Sequence, residues 1–298
     1  MKLQRGVNAT EVLQKAKHKL FVEGKDNQEI DIVVVQELLN NNELTAIEVQ
    51  AMGGCDNVRS AAQALIHQHS SYYFLIDRDD QNQTTVNESW LKFPDPNSYN
   101  MLIWRKRELE NYFIAPEYIG KSSFLKPNAN VDQRILKECN RRLFLDAANL
   151  TLYALSRELR KPLTIKHFAE PAQFKNVNDG LVQLEQLSGL VDKKTEVENI
   201  LKNDTVKEIY EGFVKELSGD VLPLQYDSGT WLERMSGKEV FRVIANECFQ
   251  VRDAANNLLT GKEQNKQIVR QLAKLPLAQQ PTDFQELVAL LKKRVNGF

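Results

Sequence analysis

Two short acidic stretches carry the side chains best suited to chemistry. Glu23 closes the apolar run Leu20-Phe21-Val22, and Asp77 and Asp79 close Tyr72-Tyr73-Phe74-Leu75-Ile76. Carboxylates that converge repel one another unless a cation neutralises them, and an oxygen-only donor set suits a hard divalent ion, Mg²⁺ or Mn²⁺. Such an ion can act as a Lewis acid on a phosphoryl oxygen, and a pair of ions can stabilise the attacking and leaving oxygens of a phosphodiester displacement. Asp77 and Asp79 are the expected metal ligands. Glu23 has two open roles, second-ion ligand or acceptor of a proton from the attacking water. Glu108 and Glu110, two apart, could complete a second metal site, whereas Asp80 falls on the opposite pleat from Asp79.

These groups can meet only if strands bring them to one rim. Leu20–Val22 and Tyr72–Ile76 read as buried parallel strands, and ligands of open α/β sheets bind beyond the carboxyl ends of such strands. Between them the chain predicts a helix over about 27–41, opened by Asp26 and Glu29, and a strand over 44–51. Gly53-Gly54 makes a turn, and a helix follows to about 69. A short helix is expected over 8–17 and a fourth strand over 101–104. The polar stretch 79–96 reads as a long loop, a flap over substrate, with Trp90 exposed in it. Asp77 and Asp79, two apart on extended chain, are expected to point the same way.

Beyond residue 120 helical periodicity takes over, at 132–160, 192–217, 236–250, 260–274 and 283–296. Thr205…Glu208, Ser236…Glu239 and Thr282…Gln285 read as capping boxes. The expected division is therefore an α/β catalytic domain, 1–125, and a mostly helical domain, 126–298, for docking or dimerisation.

A Glu after the first strand and an Asp-x-Asp after the third resemble the TOPRIM fold of topoisomerases, primases, recombination-repair proteins and the OLD (overcoming lysogenisation defect) nucleases. Val22-Glu23-Gly24-Lys25-Asp26, Asp77-Arg78-Asp79 and Arg107-Glu108-Leu109-Glu110-Asn111-Tyr112 are most similar to the OLD-related branch. Length and the Trp231…Gly237-Lys238-Glu239 stretch resemble the effector nucleases of PARIS anti-phage systems. The Asp-x-Asp lacks the downstream Gly of the primase and topoisomerase version. The resemblance implies a Mg²⁺-dependent endonuclease held by an ABC-type ATPase subunit, released when a phage protein is sensed, and then active as a homodimer on host tRNA. It also implies that the site extends to Glu108–Asn111 and that Lys238 steadies a pentacovalent phosphate. A DNA-cleaving OLD-type nuclease and a non-catalytic regulatory module of an ATPase complex are the alternatives.

Composition bounds these expectations. A 298-residue chain with 42% hydrophobic and 27% charged residues is of globular type. Its net charge of −1 excludes coating nucleic acid by bulk charge, so local cations must do that work. Lys25, Arg78, Arg105, Lys106 and Arg107 stand beside the acids and are the residues expected to meet nucleic-acid phosphates. Cys55, Cys139 and Cys248 form no Cys-x-x-Cys pair and read as free, packed thiols of a cytoplasmic protein. The first residues have no apolar core and no run is long enough to span a bilayer, so neither a secretory signal nor a membrane span is expected. Lys25 and Lys238 follow glycines but lack the P-loop spacing, and Gly-x-Ser-x-Gly is absent.

Overall fold

The computed structural model describes residues 18–26, 29–95, 99–161, 173 and 175–295. The helix expected over 8–17 lies outside the described residues. Four parallel strands, β1 (His18–Val22), β2 (Ile47–Ala51), β3 (Tyr72–Ile76) and β4 (Met101–Ile103), form one sheet in the order β2-β1-β3-β4. The central strands are continuous apolar runs because helices cover both faces: Leu20, Val22, Phe74, Leu75 and Ile76 are all buried. The α/β class read from the sequence is therefore present, with helices α1 (Ile30–Asn40) and α2 (Cys55–Leu65) connecting the first three strands. From β1 the chain passes to β2 on one side and returns to β3 on the other. The connections diverge between β1 and β3, which opens a crevice beyond their carboxyl ends.

Helix α3 (Gln83–Lys92) occupies most of the stretch expected to be a loop. Asn82 caps it by accepting the Thr85 N–H at 2.8 Å, and its few inward residues, Val86, Ser89 and Trp90, settle on β4. Trp90 is only 7% exposed, and its indole N–H donates to the Ile103 carbonyl at 2.8 Å. The segment is thus a packed helix, and its polar outer face is what made it read as a flap.

Short helices α4 (Glu110–Phe113) and α5 (Pro116–Ile119) follow β4, and then the long helix α6 (Val131–Leu159). Helix α7 (Val177–Gln186) was not expected from the periodicity, and the region expected as one helix over 192–217 is broken into α8 (Ser188–Ile200) and α9 (Asn203–Ser218). After α10 (Trp231–Arg234) come α11 (Gly237–Cys248), α12 (Gly261–Ala273) and α13 (Thr282–Val295). Among the described residues no helix is long and apolar enough to cross a membrane.

The chain does not divide near residue 125. One compact unit holds the residues up to Asn140 together with Leu232 onward, and a second comprises Arg141–Trp231. In the first unit α12 packs along α1, where Arg270 pairs with Glu37 at 3.0 Å and Asn41 Nδ2 donates to the Ala273 carbonyl at 3.3 Å. Helix α13 supplies Asp283, which accepts from both Arg105 and the Tyr112 hydroxyl. The C-terminal helices therefore complete the sheet domain. The second unit is helical, and its last turn is tight: Gly219 and Gly229 both have positive φ, and a Cβ at Gly219 would sit 2.4 Å from the Gly229 nitrogen.

Candidate functional site

Backbone pairing brings the acidic ends of β1 and β3 together. Val22 lies beside Leu75 in register, so the residues that follow emerge at the same rim. Glu23 Oε1 accepts the Asp77 backbone N–H at 3.0 Å, which seats the Glu23 carboxylate over the end of β3. The expected common direction of Asp77 and Asp79 is lost, because β3 stops at Ile76 and Asp79 turns into the left-handed region at φ 47°. Asp77 is consequently buried and Asp79 exposed. An aspartate held at positive φ is uncommon; here the Asp79 N–H donates to the Arg107 carbonyl at 2.9 Å and fixes the turn. In that pose Asp79 still presents an oxygen close to Glu23: the ligand atoms of Glu23, Cys55 and Asp79 all lie within 4.8 Å of one another.

Asp77 faces the other way. One of its oxygens accepts the Leu109 N–H at 3.0 Å, and the other meets Lys238 Nζ at 3.4 Å. Lys238 comes from the first turn of α11, and the Gly-Lys pair there has a steric origin. A Cβ on Gly237 would lie 2.5 Å from the Asn111 nitrogen, so only glycine lets the helix start press against that backbone. Asn111, fully buried, holds the contact: its Oδ1 accepts the Glu108 N–H, and its amide donates to the Leu232 and Met235 carbonyls, each at 3.0 Å.

Glu108 does not face the acids as a second-site ligand. Its Oε2 accepts the Lys238 backbone N–H at 2.8 Å, and Ser236 Oγ donates to the same carboxylate, which therefore caps α11. The capping box expected from Ser236 and Glu239 is displaced by this carboxylate, and Glu239 pairs with Arg242 at 2.7 Å instead. Glu110, by contrast, is 4% exposed and its Oε2 has no hydrogen-bond partner.

The cations expected to bind nucleic acid are largely engaged within the fold. Arg78 donates to the Gln81 and Arg105 carbonyls, and Arg107 to the Arg234 carbonyl. Arg105 pairs with Asp283 and Glu286 and stacks 3.9 Å from the Trp90 ring. Lys106 is desolvated, which lowers its pKa, and donates to the Asn111 carbonyl. Lys25 is exposed at the rim. A run of basic residues shows charge, not direction, so the strip at 105–107 could not be told from an inward scaffold. A cavity of about 520 Å³ adjoins these scaffolding residues and is lined by none of Glu23, Asp77, Asp79 or Glu110. A cavity of about 290 Å³ does reach the acids, through Glu110 and Lys238, and is lined by cations and acids alike, Arg242, Lys262 and Lys266 facing Asp26, Glu29 and Glu239.

Two members of the cluster were not singled out in the sequence. Asp31, in the first turn of α1, interacts with Lys238, Glu108 and Asp77; a lone acid inside Ile30-Asp31-Ile32-Val33 was the available signal. Cys55 is the other. The electrostatics mark the whole cluster as strained. Burial pushes Glu23 up to about 7, against the opposing Asp77 N–H, and pushes Asp31 to about 6 and Glu110 to about 8, with neighbouring carboxylates adding to it. Asp77 is raised by burial and then by Asp31. The residues fit a divalent cation: the donors are hard oxygens, their charges are poorly compensated, and the orphaned Glu110 oxygen is an atom that an ion would satisfy. No family model, curated protein or solved structure matches this chain.

Proposed function

We propose that this chain is a divalent-metal-dependent endonuclease of TOPRIM type, related to the OLD nucleases, whose site is Glu23, Asp77, Asp79 and Lys238 with Glu110 beside them. The observation that carries it is the meeting of Glu23 with the Asp77–Asp79 segment at the divergence of β1 and β3, with a lysine aimed at Asp77. Bound Mg²⁺ or Mn²⁺ would supply Lewis-acid stabilisation of the phosphoryl oxygens. Glu23 and Asp79 would hold it, while Asp77, turned toward the Leu109 N–H and Lys238, would position the lysine. Glu23 keeps two roles open, ligand of that ion or acceptor of the proton from an attacking water. Lys238 stays charged, because its carboxylate neighbours outweigh its burial, and offers that charge to the phosphoryl oxygens as negative charge builds there.

The resemblance to PARIS effectors extends this to a toxic enzyme of anti-phage defence, cytoplasmic, restrained by an ABC-type ATPase subunit, and cutting host tRNA as a homodimer once released. Purified protein is incubated with tRNA and with plasmid DNA in Mg²⁺ or Mn²⁺, alongside Glu23→Ala. Cleavage of tRNA by the wild type alone is expected. Nicking of plasmid with tRNA intact makes it a DNA nuclease, and undiminished cleavage by Glu23→Ala removes the catalytic assignment.

A further inference from the structure

The cavity of about 520 Å³ lies past the carboxyl end of β4, between Arg105-Lys106, helices α4 and α5, and the start of α13. Small-molecule sites occupy roughly 300–1,000 Å³, so it is large enough to hold a ligand. Two lysines line it. Lys106 Nζ stands 5.1 Å from the centre of the Tyr112 ring and Lys121 Nζ 5.8 Å from that of Tyr118, so each ammonium lies over a buried tyrosine. Lys106 donates to the Asn111 carbonyl at 3.3 Å and Lys121 to the Gln279 carbonyl at 2.9 Å, and among the described residues neither pairs with a carboxylate. Glu117 and Glu233 line the cavity too, both exposed, and reach Lys106 only through space. The other charges of the lining are engaged within the fold: Arg105 is held by Asp283 and Glu286, and Arg78 donates to the Gln81 and Arg105 carbonyls. Two ammonium groups and two carboxylates therefore keep unused hydrogen-bonding capacity around one space.

We propose that this cavity binds a phosphorylated nucleoside, its phosphate on Lys106 and Lys121 and the amino-bearing edge of its base on Glu117 or Glu233. A bare phosphate meets the two acids as well as the two cations, and the repulsion offsets much of the attraction. A nucleotide separates the two demands, because its anionic group and the donor edge of its base are at opposite ends. Carboxylates accept N–H groups and repel carbonyl oxygens, so they also choose among bases. Guanine presents neighbouring N1–H and N2–H donors that one carboxylate can accept together, whereas uracil presents one N–H between two carbonyls. Guanine is the expected base. A free nucleotide and one residue of a nucleic-acid chain both supply this chemistry, and only the second source rests on the nuclease reading. Arg78, which lines the cavity, precedes Asp79 in the chain, so the space adjoins the turn that carries a proposed metal ligand.

Calorimetry of the full chain in EDTA tests the site with the metal ligands unloaded. GMP should bind at least about ten-fold tighter than UMP, the discrimination of one bidentate contact, and tighter than guanosine or inorganic phosphate, each of which makes half of the contacts. Lys121→Gln should weaken GMP by at least about ten-fold through loss of a charged donor. Glu117→Gln combined with Glu233→Gln should erase the preference for GMP over UMP. All three side chains are exposed, so these variants should fold. No GMP binding, phosphate bound as tightly as GMP, equal affinity for GMP and UMP, or GMP binding unmoved by Lys121→Gln overturns the nucleotide site. The sources separate in cleavage assays. A substrate residue is the ligand if Lys121→Gln raises the KM for tRNA with kcat held and GMP competes; a free nucleotide is the ligand if GMP binds and that KM does not move. A chain that binds GMP in this way but cleaves no nucleic acid keeps the site and removes the nuclease reading.

Discussion

Lys238 presents one ammonium to several carboxylates. Burial alone would lower its pKa, but Asp77, Glu110, Asp31 and Glu108 more than reverse that, so it acts as a built-in counter-ion to the acids a divalent ion would bind. Removing it should separate binding from chemistry. Lys238→Met is expected to bind Mn²⁺ on the order of ten-fold tighter, since a like charge beside the ion is gone, while cleavage falls by about 10²–10³-fold with the loss of transition-state stabilisation. Free Mn²⁺ counted by electron paramagnetic resonance tests the first half, and weaker binding would show that Lys238 does not face the ion. The acids make a second prediction, in pH. Glu23, Asp31 and Glu110 titrate near 7, 6 and 8 in the folded chain, above the ordinary 4.5, 3.8 and 4.5. The folded state therefore holds protons that the unfolded state has released, and the sign follows: their contribution is complete below about pH 4 and is lost as pH rises through 6 to 8. The Tm of metal-free protein should fall between pH 5 and pH 8, and saturating Mn²⁺ should flatten the fall. A Tm that climbs over that window without metal contradicts the raised carboxylates.

At the scale of elements, what the sequence made legible was the sheet. β1 and β3 were readable because each is an apolar run cut off by carboxylates, a pattern that burial on both faces imposes. α3 was not, since only Val86, Ser89 and Trp90 turn inward and a polar helix looks like a loop unless Asn82 is recognised as its cap. Capping failed as a local signal for a related reason. Thr205 lies inside α9 and donates to the Asn199 carbonyl, and α11 takes its cap from Glu108, far away in sequence. Glu108→Ala should therefore behave as a cap deletion, costing about 0.5–2 kcal/mol in denaturant unfolding, with Glu108→Gln costing less because one acceptor oxygen survives. An unchanged midpoint for Glu108→Ala would mean that α11 starts without it. Glycines give a paired test. Gly237→Ala drives a Cβ into Asn111 and should destabilise by about 1–3 kcal/mol. Gly212→Ala, inside α9 with nothing within 4 Å of the new Cβ, should stabilise by about 0.5–1 kcal/mol. If both lose stability alike, the close approach at Gly237 is not what requires glycine there.

For the whole molecule, periodicity tells that a helix face is covered but not by what, and this is why the division near 125 does not hold. α11, α12 and α13 carry the same stripes they would carry in a separate bundle, yet their buried residues, Phe241, Ile244, Ile268, Val269, Phe284 and Leu287 among them, belong to the sheet-containing unit. What is left of the expected docking domain is the unit 141–231, and it is there that large apolar side chains stay in solvent. On α6 Leu145 is 53% exposed, Leu152 63% and Leu159 37%, seven residues apart on one side, with Phe144 and Tyr153 flanking them, while Leu143, Ala147, Leu150 and Leu155 are buried. A heptad-spaced apolar stripe beside a buried one is the pattern of a helix with a second partner to cover. If that partner is another copy of the chain, as the homodimer proposal requires, Phe144→Glu with Leu152→Glu should convert a dimer to a monomer in light scattering. Mn²⁺ affinity should be unchanged, because every proposed ligand lies in the other unit. A wild-type chain that is monomeric in the same experiment, with or without Mn²⁺, leaves the stripe to a different protein and removes self-association from the proposal.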